Sequence, residues 1–344
     1  MTAEVGPDLV ARAMDPAIRV GRGLLENEVL GLPGRYALVT QLDPLRAAAP
    51  GIASHATTTW LVESLDARSL ADMEERLPSV DRVVGLGGGM AMDAAKYVAW
   101  RRSLPLLLAP SIVSVDAVVT NTIAVRRNGS VVYEGFVVAD RIVADLDLIA
   151  AAPARFNRAG AGDLLSIHTG RRDWKLGARA GRIPFDEDRD RRAGAVLDVI
   201  LGLGAEIGQV TDRALEALLR AYAKVNAILL EVGHAGPEEG SEHYFAYHAE
   251  AVARRSFVHG ELVSLGTLLM ATLQDHEPTQ VRGFLEDSRV AWQPAHLGLD
   301  RDMLGTILEG LPAFVRQAGL PYSIIDEADL GPAAVKALLE VVTG

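Results

Sequence analysis

Cysteine is absent from all 344 residues, which removes disulfides, thiolate nucleophiles and cysteine-held zinc or iron–sulfur clusters at once. Any metal must be held by histidine and carboxylate side chains. Positive charge is in deficit: 34 lysines and arginines face 45 aspartates and glutamates, and the resulting net charge of −11 repels nucleic-acid phosphates. Aromatic residues are only 5% of the chain, and no run reaches the ~18 uninterrupted apolar residues of a membrane-spanning helix. The stretch from Met1 to Pro16 carries acidic residues where a secretion signal would be basic. These absences point to a cytoplasmic protein with neither nucleic acid nor membrane as partner. Apolar matter is plentiful, however. At 49% hydrophobic, a chain of this length can bury the cores of two ordinary domains.

The composition changes once along the chain. Short apolar runs at Tyr36 to Thr40, Thr58 to Glu63, Arg82 to Leu86 and Leu106 to Ala109 are bounded by polar residues or glycine, as buried parallel strands are, and helical stretches separate them. This predicts an α/β, Rossmann-like parallel-sheet domain over residues 1–152, with ligands gathering beyond the C-terminal strand ends. Two apolar runs between Thr120 and Ala144 flank Asn128-Gly129, which predicts a hairpin. From Pro153 onward apolar residues recur every three or four positions, as in Leu215, Leu218, Leu219 and Tyr222, so residues 153–344 are expected to be all-helical. The dense mixed charge of Asp186 to Arg192 reads as a solvated helix start or loop without chemistry.

Two features could carry chemistry. Gly85-Leu86-Gly87-Gly88-Gly89-Met90-Ala91-Met92-Asp93-Ala94-Ala95-Lys96 follows a predicted strand and opens a predicted helix. Glycines let the backbone approach a diphosphate, and the open N–H groups of a helix start supply donors, so a dinucleotide fits at Gly87, Gly88 and Gly89. A tight turn without a ligand fits the same letters, and Asp93 with Lys96 could be a plain surface ion pair. The second feature is a concentration of histidines: His234, His243, His248 and His259 are four of the eight in the chain. Two imidazoles with a carboxylate make an ordinary zinc or ferrous site. Asp163, after Gly160-Ala161-Gly162, is the candidate acid, with the N-cap of a following helix as its alternative role.

Taken together, these segments resemble the iron-containing (group III) alcohol dehydrogenase and dehydroquinate synthase superfamily, and within it the glycerol-1-phosphate dehydrogenases. GGGMAMDAAK looks like the family's cofactor loop, GAGDLLSIHTGRRDWKLG like the segment with its metal aspartate, and EEGSEHYFAYH and FVHGELVSLG like its two histidine segments. The resemblance implies that Asp163, His243 and His259 hold one divalent metal, zinc or iron. It further implies that Gly87, Gly88, Gly89 and Asp93 serve NAD or NADP, that Asp116 contacts substrate and that Lys96 faces the site. Homo-oligomers are also implied. Asp43, just past the first predicted strand, is an acid where a free ribose hydroxyl would be read, which tilts the choice to NAD.

The activity so implied is metal-dependent, NAD(P)-linked exchange of hydride between a small polyol and its ketone. A sugar-phosphate cyclase of the dehydroquinate synthase type is the rival, but it needs several basic residues around a departing phosphate, and the stretch from Glu231 to Glu250 has no arginine or lysine. A catalytically silent nucleotide-binding module is the third reading. The same stretch carries Gly236, where glycerol-1-phosphate dehydrogenases usually have arginine, together with Glu238 and Glu239. Phosphate recognition is therefore in doubt, and an uncharged or amine-bearing polyol is the expected substrate.

Overall fold

A computed structural model describes residues 6–127 and 130–343. Their contacts divide into two compact units, one ending at Ala154 and the other beginning at Arg155. Eight strands lie in the first unit: β1 (Ile18–Gly21), β2 (Tyr36–Thr40), β3 (Thr58–Leu61), β4 (Arg82–Gly87), β5 (Leu106–Pro110), β6 (Ile123–Arg127), β7 (Ser130–Glu134) and β8 (Arg141–Asp145). Six of them form one sheet in the order β1-β8-β5-β4-β2-β3, with every pairing parallel. β2 and β5 are buried at every residue, as the unbroken apolar runs require.

The order explains where ligands belong. From β2 the chain moves outward to β3, returns across β2 to β4 and then continues the other way to β5. The C-terminal ends of β2 and β4 thus lie side by side where the winding reverses, and an open parallel sheet has its natural crevice there.

The structure adds two strands to the four expected. β1 is a short edge strand with no fully buried residue, and β8 is the next strand after the hairpin. The segment from Thr120 to Ala144 is therefore not a hairpin throughout. β6 and β7 pair antiparallel from Ile123↔Glu134 to Arg127↔Ser130, whereas Arg141–Asp145 returns to the main sheet between β1 and β5. The predicted Asn128-Gly129 turn lies outside the described residues.

The described part of the second unit is helical. Its centre is the helix His259–Leu273, in which every residue from Gly260 to Ala271 is buried; a mostly apolar helix buried on all sides belongs inside a core. The 21-residue helix Asp212–Val232 packs on the helix Glu187–Leu201 and buries Leu215, Leu218, Leu219 and Tyr222 as one stripe. The charged run expected to be solvated behaves differently. Asp186 caps the helix Glu187–Leu201, but Asp190 is buried and receives Arg171 and Lys175, while Arg189 and Arg192 clasp Glu231. Those charges join helices. Among the described residues, no helix is long and apolar enough to cross a membrane.

Candidate active site

β4 ends at Gly87, and the helix Gly89–Arg102 begins two residues later with Gly88 as its N-cap. Gly87 has φ +149°, and a Cβ there would lie 2.8 Å from the Ala91 methyl group, so only glycine fits this turn. The Gly87 carbonyl accepts from Ser111 N–H at 2.8 Å, which fixes the loop to the end of β5. Gln41, just after β2, borders the same loop from the other side of the reversal: its Oε1 is 3.5 Å from where a Gly87 Cβ would stand. Asp43, two residues on, is exposed in the first turn of the helix Leu42–Ala47. Asp116 opens the short helical turn Asp116–Val118, and its neighbours Val115 and Ala117 face Gly89. The structure thus gathers Gly87, Gly88, Gly89, Gln41 and the Asp116 turn at one end of the sheet.

Lys96 does not face that end. It is 1% exposed, its Nζ lies 2.7 Å from Asp93 Oδ1, and it donates to the Thr122 carbonyl at 3.0 Å and to Thr120 Oγ1 at 3.3 Å. Its hydrogen bonds are spent inside the unit, so Lys96 ties the glycine-loop helix to the segment entering β6. This corrects the expectation of a site-facing lysine. Asp93 belongs to the same buried pair, which likewise excludes a surface ion pair. Burial raises the Asp93 carboxyl, and the Lys96 ammonium and the Ala124 backbone oppose that rise.

In the second unit Asp163, His243 and His259 converge. Asp163 Oδ1 lies 3.6 Å from His243 Nε2 and 3.3 Å from His259 Nε2. Donors bound tetrahedrally at 2.0–2.1 Å from one ion are separated by about 3.3–3.4 Å, so this spacing fits a single metal. Asp163 is the penultimate residue of the helix Ala154–Leu164, which excludes the alternative role as an N-cap. Burial works to raise its carboxyl, but the two imidazoles outweigh burial and hold it well below the ordinary range. For His243 burial lowers the imidazole, while Asp163 and Glu242 pull it well above its usual value. The cluster favours positive charge at its centre, a demand that a divalent ion meets.

Two close contacts bring Asp163 and His259 together. A Cβ on Gly260, the residue after His259, would stand 1.8 Å from the Ala159 carbonyl oxygen. On Gly162, the residue before Asp163, it would stand 2.1 Å from Ser264 Oγ. The helices Ala154–Leu164 and His259–Leu273 touch main chain to main chain there, and no side chain fits between them.

A buried polar network orients Asp163 and His243. His243 Nδ1 lies 3.0 Å from Glu242 Oε1, which also accepts from Gly240 N–H, and Thr169 Oγ1 donates to Glu242 Oε2 at 2.6 Å. A carboxylate on the distal nitrogen fixes the ring and its tautomer. Asp173 receives Ser241 N–H and Oγ–H at 2.7 and 2.5 Å, along with Gln274 and the Ile324 N–H, which anchors the start of the helix Ser241–Ala253 that carries His243. The Tyr222 hydroxyl lies 3.1 Å from Asp163 Oδ2 and 2.9 Å from the Gly160 carbonyl. Glu242 was not singled out in the sequence, where its place next to His243 was the available signal. Tyr222 counted only as part of an apolar stripe, because periodicity reports a side chain's face and not the end of its hydroxyl. His234 and His248 stand apart from the triad: the first packs edge-on against Trp174, and the second stacks on Phe314 and bonds the Ile307 carbonyl.

The sequence pattern of the iron-containing alcohol dehydrogenases matches residues 43–153. A glycerol-1-phosphate dehydrogenase [NAD(P)+] of Hyperthermus butylicus is 30% identical over 79% of this chain and 76% of its own length. The chain belongs to the iron-containing alcohol dehydrogenase family. The corresponding enzyme of Aeropyrum pernix is 29% identical over 75% of this chain and 73% of its own. Among solved structures, glycerol dehydrogenase from Schizosaccharomyces pombe superposes on this dehydrogenase-family fold with a TM-score of 0.70 at 20% identity, covering 95% of this chain and 88% of that one. A probable glycerol dehydrogenase from Sinorhizobium meliloti covers 94% and 96%, with a TM-score of 0.65 at 24% identity.

Proposed function

We propose that this chain is a metal-dependent, NAD(P)-linked dehydrogenase that interconverts a secondary hydroxyl of a small polyol with its ketone. The convergence of Asp163, His243 and His259 at metal-ligand spacing carries this reading. Asp163, His243 and His259 hold zinc or iron, and Gly87, Gly88 and Gly89 receive the diphosphate of NAD, with Asp43 placed to favour a free ribose hydroxyl over a phosphorylated one. When bound, the metal supplies Lewis acidity toward a substrate oxygen, and the nicotinamide accepts or returns hydride. Glu242 keeps the metal-facing nitrogen of His243 unprotonated by occupying the other one. Tyr222 and the Gly162–Gly260 contact hold Asp163 in reach of both imidazoles, and Asp116 is assigned to substrate. Cytoplasmic location and homo-oligomers complete the proposal. The curated relatives reported above are dehydrogenases, which gives the cyclase alternative no support.

The substrate is proposed to lack phosphate. Glu239 lies close enough to raise the His243 imidazole, and it accepts from the Tyr247 hydroxyl at 3.3 Å; Tyr247 in turn packs 6.1 Å from the His243 ring. A carboxylate there repels a dianion and welcomes a hydroxyl or an ammonium group. Glu238 is buried, and the proposal does not rest on it. Steady-state assays with glycerol-1-phosphate, dihydroxyacetone phosphate and unphosphorylated or amino polyols test the point. Preference for the phosphorylated pair by more than about tenfold in kcat/KM, ~1.4 kcal/mol of transition-state binding, refutes it. Elemental analysis tests the metal: His243→Ala and His259→Ala proteins that fold and keep the parent's metal at the triad would refute the assignment.

A further inference from the structure

A second cluster of ligating side chains lies in the helical unit. His168, in the helix Ile167–Arg179, is 5% exposed, and neither of its ring nitrogens has a hydrogen-bond partner among the described residues. Its ring stacks on His276 with centroids 4.4 Å apart. His276 and Glu277 come from the turn between the helices His259–Leu273 and Pro278–Ser288, and Glu277 Oε2 lies 3.7 Å from His168 Nε2. One ligand atom from each of the three residues lies within 4.8 Å of the other two. They open onto a pocket of about 390 Å³ that Arg171, Arg172, Lys175 and Asp198 also line.

Buried polar atoms in native proteins have partners, so a histidine with both nitrogens unsatisfied calls for one. We propose that His168, His276 and Glu277 form a second metal site, separate from the Asp163 triad, that takes a borderline divalent transition ion such as zinc. Two imidazoles and one carboxylate are the donors such an ion selects, whereas magnesium and calcium require oxygen. The three nearby cations do not forbid it. Asp190 engages Arg171 and Lys175 at 2.7 Å each, and with Asp198 and Glu277 it brings the carboxylates to three against three. An anion is the less suitable occupant, because Arg171 is already committed to Asp190 and the histidines bring no charge. Burial, then His276, Arg172 and Arg171, push the His168 imidazole down to about 3, so its lone pair is open at neutral pH. An ion there would clamp the helix Ile167–Arg179 to the turn at His276.

Zinc stoichiometry tests the proposal in the full chain, stripped with chelator, dialysed against zinc and measured by plasma mass spectrometry. The parent is expected to bind two zinc ions, His276→Ala one, His243→Ala one and the double variant none. Glu277→Gln changes a side chain 61% exposed, so the fold stays intact while the second zinc weakens at least tenfold. A single zinc in the parent that His243→Ala removes would overturn the proposal. So would a second zinc that survives both His276→Ala and Glu277→Gln, or a pocket that takes inorganic phosphate and no zinc. A single zinc lost in His276→Ala but kept in His243→Ala would uphold this site and refute the triad, so the two failures are distinguishable.

Discussion

Lys96→Met is the substitution that best separates a structural lysine from a catalytic one. Methionine keeps most of the apolar stem but removes the ammonium, leaving Asp93 buried with only the Ala124 backbone as partner. Removing one member of a buried pair typically costs about 3–5 kcal/mol. For a domain of this size each kcal/mol moves Tm by about 2–4 °C, so a fall of roughly 6–20 °C is expected. The pH dependence has a definite sign. Burial already raises the Asp93 carboxyl, and loss of Lys96 raises it further. A carboxyl whose folded pKa exceeds its unfolded value contributes stability at low pH that is lost as pH rises through the folded value. The deficit of Lys96→Met relative to the parent is therefore smaller at pH 5 than at pH 8, and Asp93→Asn added to Lys96→Met recovers part of it. Thermal unfolding followed by circular dichroism at both pH values reads all three quantities. A variant whose Tm stays within about 2 °C of the parent while kcat falls a hundredfold would refute the structural role and restore Lys96 to catalysis.

Three further outcomes are expected. Glu242→Gln keeps the shape of the side chain but weakens its hold on the His243 ring, so metal affinity should fall about 10–100-fold in chelator competition; unchanged affinity would refute the orienting role. Gly260→Ala forces a methyl against the Ala159 carbonyl and should cost at least the upper end of the about 1–3 kcal/mol typical of overpacking, with loss of triad metal in elemental analysis; a stable variant that retains this metal would refute the contact. Gly88→Val places its branches where the diphosphate is proposed and beside Ile112, 3.0 Å from the new Cβ, so NAD affinity by calorimetry should fall while the folded signal persists. Unchanged affinity would defeat that placement.

The buried strands and the glycine turn were legible because each is written locally, as a continuous apolar run or as letters that only one backbone path accepts. β1 escaped notice because three half-buried residues and one exposed residue at a sheet edge carry too little pattern, and β8 was concealed by its nearness to the hairpin. Asp163, His243 and His259 were found through resemblance. Their spacing along the chain says nothing of their 3.3–3.6 Å separation in space. Lys96 was misjudged for the opposite reason: its place on the helix was right, but whether an ammonium faces the ligand end of the sheet or Thr122 depends on a segment 26 residues away. His168 and His276, 108 positions apart, offered no local signal at all.

The contact between Gly162 and Gly260 bears on how the protein tolerates change. Two peptide backbones at closest approach act as a gauge block: the interval from Asp163 to His259 is set by main-chain thickness, which mutation elsewhere does not alter. Apolar residues around the triad can then be exchanged for others of similar volume without shifting Asp163 against His259, while the two glycines and the lengths of those two side chains stay fixed. Asp163→Glu illustrates the asymmetry, since one added methylene carries the carboxylate past a position that the helices cannot move apart to restore.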